Sequence, residues 1–355
     1  MPSVSVLTST FRPGGIDILL AGMRDQMFRD FELVLVDRRY EYRHQLVVDL
    51  AKRYDINLIH VPEHRRNGKW QNIASAWNTA LAVARGDIVI FLQDYQYTPP
   101  DWIDAHITAL DGKRRYVLAP YVYTQMPELT GVDVSEIQKH GEEINDTTDR
   151  VCVELDPYVE SGLFDEISVL KNGYFEPRML QYLAPQVFPH QDTRVMYIGS
   201  GSKPCLKLNW VHIKNESILR SVAYELNGID ERLERGKGPM DTDWENRIRA
   251  SDIEFWWCSD AMTVGPNPRV LFFTQPWGAT HRRVEGRWSW DDGLAYAKRR
   301  VDEMHVGGTR RARNKYNMED LALKLELWRS SDVAPKSIDV ADLTYWNCEM
   351  WPDTP

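Results

Sequence analysis

The sequence predicts an α/β protein with a mostly parallel central sheet and helices on both faces, and three observations predict it. Short apolar runs rich in Val, Ile and Leu alternate with helix-spaced apolar stripes through the first third of the chain. The runs are apolar at successive positions, so both faces of each strand must be covered, as parallel strands flanked by helices require. Each run also stops abruptly at polar residues, as at Leu7-Thr8, Val36-Asp37 and Leu92-Gln93-Asp94.

In order, Val4 to Thr8 is the first strand, and Ser9-Thr10-Phe11-Arg12-Pro13-Gly14-Gly15 is a polar, glycine-bearing loop. Ile16, Leu19, Leu20, Met23 and Met27 then share one helical face. Phe31 to Val36 is a second strand ending on Asp37, residues 41 to 54 read as a helix, and Ile56 to Val61 is a third strand. After His64-Arg65-Arg66-Asn67-Gly68-Lys69, a helix carries Ile73, Trp77, Leu81 and Ala84 as its core stripe. The stretch GDIVIFLQDYQYTPPDW, Gly86 to Trp102, holds the fourth strand, with Asp94 just past its end. Pro99-Pro100 exclude helix at Thr98 and restart the chain, with Asp101 an early helix acid and Trp102 the first apolar anchor. Strand ends of open α/β sheets border the crevice where ligands bind, so Asp94 suits a site, although a turn cap asks for the same residue. The alternation predicts a Rossmann-like sheet with right-handed crossovers. Neither GxGxxG nor GxxxxGK[ST] is present, which disfavours a nicotinamide enzyme and a P-loop NTPase.

Residues 115 to 121 offer a fifth strand, and the acid-rich stretch from Pro127 to Asp156 opens an insertion that runs to about residue 200. Leu206 to Ile213 reads as a strand and Asn215 as the N-cap of a helix with Ile218, Leu219, Val222, Ala223 and Leu226 inward, stopped by Asn227-Gly228. A helix beginning near Asp241 turns Trp244 and Ile248 inward and leaves Asp241 at its N-terminus, where the dipole favours a carboxylate. Phe255 to Cys258 and Met262 to Val264 are later strands, and residues 317 to 329 form a helix with Leu321, Leu325 and Trp328 on its apolar face. The expected organisation is a first half over 1–120, a second half over 121–283, and a C-terminal helical extension over 284–355.

Net charge is −9 and the isoelectric point about 5.6, so the whole chain has no pull toward nucleic acid or anionic membrane. A basic run does stand between His281 and Lys315, suited to a mobile lid, an acidic partner or a solvated helix face. No apolar stretch approaches the roughly 18 residues of a membrane span, and no basic-then-apolar leader opens the chain, so a cytoplasmic address is expected. The 4 cysteines show no CxxC spacing, which argues against zinc and against a disulfide framework. The 13 tryptophans serve core packing, with aromatic platforms for sugar rings as the alternative use.

Taken together, these landmarks resemble the family-2 inverting glycosyltransferases of the GT-A fold over roughly residues 3 to 283. VSVLTSTFRP resembles the first nucleotide-binding turn of that family. ELVLVDRR resembles the second, which implies that Asp37 contacts the base. NGKWQNIASAWNTALAVARGDIVIFLQD resembles the helix and strand leading to the metal-binding DxD, and GPMDTDWENRI resembles the segment whose aspartate is the general base.

The resemblance implies an enzyme moving a sugar from a nucleotide-diphosphate donor, expected to be a UDP-sugar, to a carbohydrate or other hydroxyl acceptor. It places the base on Asp241, with Asp243 as competitor, and the donor on Thr8, Thr10, Arg12, Asp37, Lys69, Asn72, Gln93 and Asp94. Mn²⁺ or Mg²⁺ falls to Asp94 and His281, and the acceptor side to Trp210, Asp243 and Trp277. Two positions depart from the pattern. Gln93-Asp94-Tyr95-Gln96 keeps one acid of the DxD, and Met240 replaces the first acid of the base segment. Two other readings stay open: a phage-type enzyme acting on modified bases in DNA, and an inactive GT-A domain that binds a nucleotide sugar or a partner.

Overall fold

The computed structural model describes residues 2–10, 16–38, 40–66, 69–70, 73–94, 96–124, 198, 200–205, 213–231, 233, 239–266, 290–306, 310–314 and 316–330. The first half runs β1 (Val4–Thr10), α1 (Ile16–Arg24), β2 (Phe31–Asp37), α2 (Tyr40–Arg53), β3 (Leu58–Val61), the short pair β4 (Arg65–Arg66) and β5 (Lys69–Trp70), α3 (Ile73–Val83), β6 (Ile88–Leu92) and α4 (Trp102–Leu110). It continues with β7 (Arg115–Leu118), β8 (Tyr121–Thr124), β9 (Ser202–Pro204), β10 (Asn215–Leu219), α5 (Arg220–Glu225), α6 (Pro239–Arg249), β11 (Glu254–Cys258), β12 (Thr263–Pro266), α7 (Trp290–His305) and α8 (Met318–Ser330).

Eight strands form one sheet in the order β3-β2-β1-β6-β10-β7-β11-β9. The neighbours β3, β2, β1 and β6 run parallel, with Thr10 beside Asp37 and Leu7 beside Phe91. β10 is antiparallel to both β6 and β7, which places its first residue, Asn215, beside Leu92 at the carboxyl end of β6. Side-chain alternation splits the core into two layers. Leu7, Val34 and Phe91 face α3, α6 and α8, while Val6, Leu33 and Ile90 face α1, α2 and α4.

The predicted α/β class and parallel first half hold, and several local readings change. Met27 lies beyond the end of α1 and is 66% exposed, and Ile73, the first residue of α3, is 42% exposed. Asn215 opens a strand and caps no helix. Its buried amide is a four-way joint: Oδ1 accepts from Trp102 Nε1 (3.0 Å) and His106 Nε2 (3.1 Å), and Nδ2 donates to Pro120 O (2.7 Å) and Ala261 O (2.8 Å). Burial pushes the His106 imidazole down to about 4, so it stays neutral and takes the Ser217 hydroxyl on Nδ1 at 2.9 Å.

The C-terminal helices pack onto the body. α8 covers α3 with Leu321, Leu325 and Trp328, and this covering explains why α3 is buried on nearly every side. The segment before α8 is sewn to the turn after α5: Asn227 Nδ2 donates to Ala312 O (3.1 Å) and Tyr316 O (3.0 Å), and Asn314 Nδ2 donates to Asn227 O (2.8 Å) and Ile229 O (2.9 Å). Gly228 sits in this turn at φ +66°, where a Cβ would lie 2.3 Å from Asn78 Oδ1. Only glycine satisfies both the handedness and the space.

Candidate functional site

The site lies along the carboxyl edge of the parallel strands, where β1, β2, β3 and β6 all end. Thr10 closes β1 and donates its hydroxyl to Asp94 Oδ2 at 2.8 Å, so the first and fourth strands are tied at their ends. Asp94 is 1% exposed. Two residues on, the Gln96 carboxamide is fully buried, and among the described residues neither its oxygen nor its nitrogen has a hydrogen-bond partner. The Thr8 hydroxyl, two residues before Thr10, is likewise buried and unpartnered. Unsatisfied buried polar atoms are uncommon, and these two groups are such a case next to the Thr10–Asp94 pair in sequence.

Behind this edge stand two buried ion pairs. Asp37 is 0% exposed, and both of its oxygens are held by Arg43, at 2.6 Å to Nε and 2.8 Å to Nη2. His60 Nε2 donates to Asp37 Oδ2 at 3.1 Å, and its Nδ1 then accepts from His44 Nδ1 at 3.1 Å. Burial alone would raise the Asp37 carboxyl, but Arg43 and His60 outweigh it and hold the group well below the usual carboxylate range. The next residue, Arg38, grips Glu63 with Nε and Nη2, and Ser75 donates to the same carboxylate. Burial pushes the Glu63 carboxyl up in spite of Arg38.

Across β10 stands the second acid of interest. Asp241 lies in the first turn of α6, half-buried, and its Oδ1 accepts from Ile213 N at 3.3 Å. The adjacent Lys214 carbonyl accepts from Gln93 N at 2.9 Å. The Ile213-Lys214 dipeptide therefore binds the Asp241 carboxylate on one side and the backbone beside Asp94 on the other. The two acids meet at one sheet edge although they are far apart in sequence.

Asp243 turns the other way. It is 0% exposed, 2.7 Å from Arg247 Nε and 3.9 Å from Arg300 Nε, with burial pushing its carboxyl up and the two arginines opposing. A carboxylate enclosed in this way has no surface for an acceptor, so its place is in the packing of α6 and not on the acceptor side. Of the basic run, Arg300 donates to Glu303 and to the Arg311 carbonyl, Arg311 to the Glu225 carbonyl, and Arg313 to Glu303. Arg300 is fully buried, whereas the Arg311 bond lies at the surface.

Arg12, Asn72, Trp210, Trp277 and His281, with the side chain of Lys69, lie outside the described residues. The partners that sequence reading missed are Arg43 and His60 around Asp37 and the Arg38–Glu63 pair. They come from the turn after β2, from α2, β3 and the loop beyond it, and no local pattern marks them.

The described residues thus bring Thr10, Asp94 and, through Ile213-Lys214, the helix-borne Asp241 to one edge of the sheet. Residues 6–156 match the model of glycosyl transferase family 2, so this part of the chain is similar to that family. Among solved structures it is similar to S. aureus TarS 1-349 (13% identity, TM-score 0.48, covering 92% of this chain and 72% of that one). The same protein in complex with UDP-GlcNAc gives 13% identity and a TM-score of 0.47 over 94% and 73%. The mannosyltransferase PcManGT from Pyrobaculum calidifontis, in complex with GDP-Man and Mn²⁺, gives 14% and 0.40 over 94% and 76%. No curated protein matches the chain.

Proposed function

We propose that this protein is a glycosyltransferase that moves a sugar, with inversion, from a nucleoside-diphosphate donor to an acceptor hydroxyl, with Asp241 as general base. The observation that carries the reading is the Ile213-Lys214 bridge, which brings Asp241 to the edge where Asp94 and Thr10 are joined. Inverting transfer asks for this layout. The base must reach the acceptor hydroxyl on the face opposite the departing diphosphate, so base and diphosphate groups belong on two sides of one crevice.

Thr8, Thr10, Gln93 and Asp94 stand on the donor side, with Arg12, Lys69 and Asn72 assigned there from the sequence. Asp37, expected to contact the base, is 0% exposed with both oxygens held by Arg43, so in this reading it acts indirectly, by ordering Arg43 and the His60–His44 pair. The donor is assigned as a UDP-sugar from its frequency in the family.

The described residues hold no group of three or more His, Cys, Asp or Glu that could bind a metal ion, so a divalent cation in this reading rests on Asp94 and on the donor phosphates. Asp94 supplies a carboxylate, and the buried Gln96 carbonyl oxygen has no donor among the described residues, so both offer the hard oxygen that Mg²⁺ and Mn²⁺ prefer. His281 is the further candidate ligand. A cation there would neutralise charge on the leaving diphosphate. With one carboxylate in place of two, the site holds less negative charge, and the donor phosphates take a larger share of the coordination.

The test is thermal stabilisation by a panel of nucleoside diphosphates with and without Mn²⁺, followed by acceptor transfer with the nucleotide that binds. Stabilisation by one nucleotide that needs the metal, with transfer abolished in Asp241→Asn, supports the reading. Nucleotide binding with neither transfer nor donor hydrolysis would leave a binding module, and no stabilisation by any nucleotide would sink the proposal.

A further inference from the structure

The first turn of α6 is placed from behind by a cluster centred on Asp243. Residues two apart on a helix face nearly opposite ways, so Asp241 turned to the crevice puts Asp243 in the core. There Arg247 binds Asp243 Oδ2 at 2.7 Å and crosses to the carbonyls of Leu226 (2.9 Å) and Gly228 (3.0 Å), which fixes α6 to the turn after α5. Asp230, in the same turn, repels the Asp243 carboxylate. Arg300 stands on the remaining side, its Nε 3.9 Å from Asp243 Oδ1. It is 0% exposed and comes from α7, in the C-terminal extension.

Arg300 does more than add a charge. Its Nη2 donates to Arg311 O at 2.8 Å, and two residues on the Arg313 amide donates to Asp230 Oδ2 at 3.3 Å. The chain therefore forms a ring: α6 to α7 through Asp243 and Arg300, α7 to the following segment through Arg311, and that segment back to the turn beside α6 through Asp230. The Asp243–Arg300 link is a charge contact at 3.9 Å without a hydrogen bond, and Arg300 Nη1 also faces Glu303 Oε2 at 3.4 Å, so at that point charge and not a hydrogen bond closes the ring.

We propose that Arg300 is a positioning residue for the transfer reaction: by matching Asp243 it sets where the first turn of α6, and with it Asp241, stands at the crevice. This inference deepens the assignment of Asp241 as base and rests on it. Donor binding belongs to β1, β2 and β6 on the other side of β10, so loss of Arg300 should leave it in place. The base should lose its aim instead, and misplacement of a reacting group by about 1 Å costs on the order of 100-fold in rate.

The experiment uses the full chain with Arg300→Met and Arg300→Lys. It reads transfer kcat, donor KM, nucleotide binding with Mn²⁺ by calorimetry, and hydrogen exchange of the α6 amides. In Arg300→Met the expected result is a kcat lower by roughly tenfold or more with donor KM and nucleotide affinity within about twofold. Exchange over residues 239–245 should quicken while β1 and β6 keep their protection. Arg300→Lys keeps the charge and should recover part of kcat; it also carries the test if the Met variant fails to fold. A folded Arg300→Met protein with wild-type kcat and unchanged exchange in α6 overturns the proposal, as does a parallel loss of kcat and donor affinity. A wild-type protein that neither binds nucleotide nor transfers sugar would refute the proposed function alone, since exchange in α6 still decides whether Arg300 places that turn.

Discussion

In the first half of the sheet, Asp37 and Asp94 stand at or just past the ends of parallel strands, each held by neighbours from the same βα alternation: Arg43 and His60 for one, Thr10 for the other. On the far side of β10, Asp241 stands on a helix whose place depends on Arg247, Arg300 and the segment before α8. The first arrangement is local in topology, since a buried strand delivers its last residue to the sheet edge wherever the sheet goes. The second is assembled from parts remote in sequence, so it responds to changes far from the crevice. The contrast teaches that substitutions in the two regions should fail differently: the first by losing ligand affinity, the second by losing turnover or stability with the donor still bound.

The largest expected effect breaks the comparison outright. Asp241→Asn should lower transfer by about 100-fold or more while nucleotide affinity stays within about twofold, measured by product formation and calorimetry on one preparation. Comparable losses of both quantities would mean that the two acids serve a single task.

Acidification comes next, because His106 lies between the two regions, joined to Asn215 and Ser217 at the start of β10. Its folded pKa of about 4 lies below the unfolded value near 6.5, so the unfolded chain takes up the proton first. Stability contributed by neutral His106 is complete above about pH 6.5 and is lost as the pH falls toward about 4, by roughly 3 kcal/mol over that window. Denaturant melts at several pH values should show this limb, and His106→Gln should flatten it. Asp37 adds a second limb at lower pH. Its folded pKa is depressed, so the stability from its pairing with Arg43 is present above the ordinary aspartate range and lost below it.

Asp94→Ala should remove the metal-dependent part of nucleotide stabilisation, about 2.7 kcal/mol for a ligand supplied at 100 times its Kd, and, by removing a buried acceptor of the Thr10 hydroxyl, lower the stability without nucleotide by about 1 kcal/mol or more. A mutant that keeps the full Mn²⁺-dependent shift would move the cation away from this edge. Gly228→Ala tests the other region: the backbone is left-handed there and the new Cβ would meet Asn78 Oδ1, so a loss of about 2 kcal/mol is expected. The smallest effect sharpens the baseline. The exposed Arg114–Glu225 pair should contribute less than about 1 kcal/mol, and Arg114→Ala should change the melt little at high salt.

Much of the first half was legible in the sequence because strand and helix periods differ and each strand closes on polar residues. The runs ending at Thr8, Asp37 and Leu92 mark β1, β2 and β6 to within two residues at their carboxyl ends. The same reading failed at Asn215. The fragment NESIL is short, and its first residue suits a helix cap as well as a buried joint, so only its pairing with β6 and β7 decides that it is a strand. Asp243 misled for a related reason. Spacing puts it near Asp241, but whether an acid faces crevice or core depends on what covers the helix, and here the cover includes α7.

By itself, the sequence determined the α/β class, the order of the first strands, the acids at their ends and the helix that bears Asp241, since each follows from local periodicity and turn chemistry. Tertiary structure alone decided that the turn before an antiparallel strand joins Asp241 to the backbone beside Asp94, that Asp37 is enclosed by Arg43 and His60, and that Arg300 of the C-terminal extension is internal. Those outcomes rest on which buried charges meet, and a charge shows its partner only once the chain has folded around it.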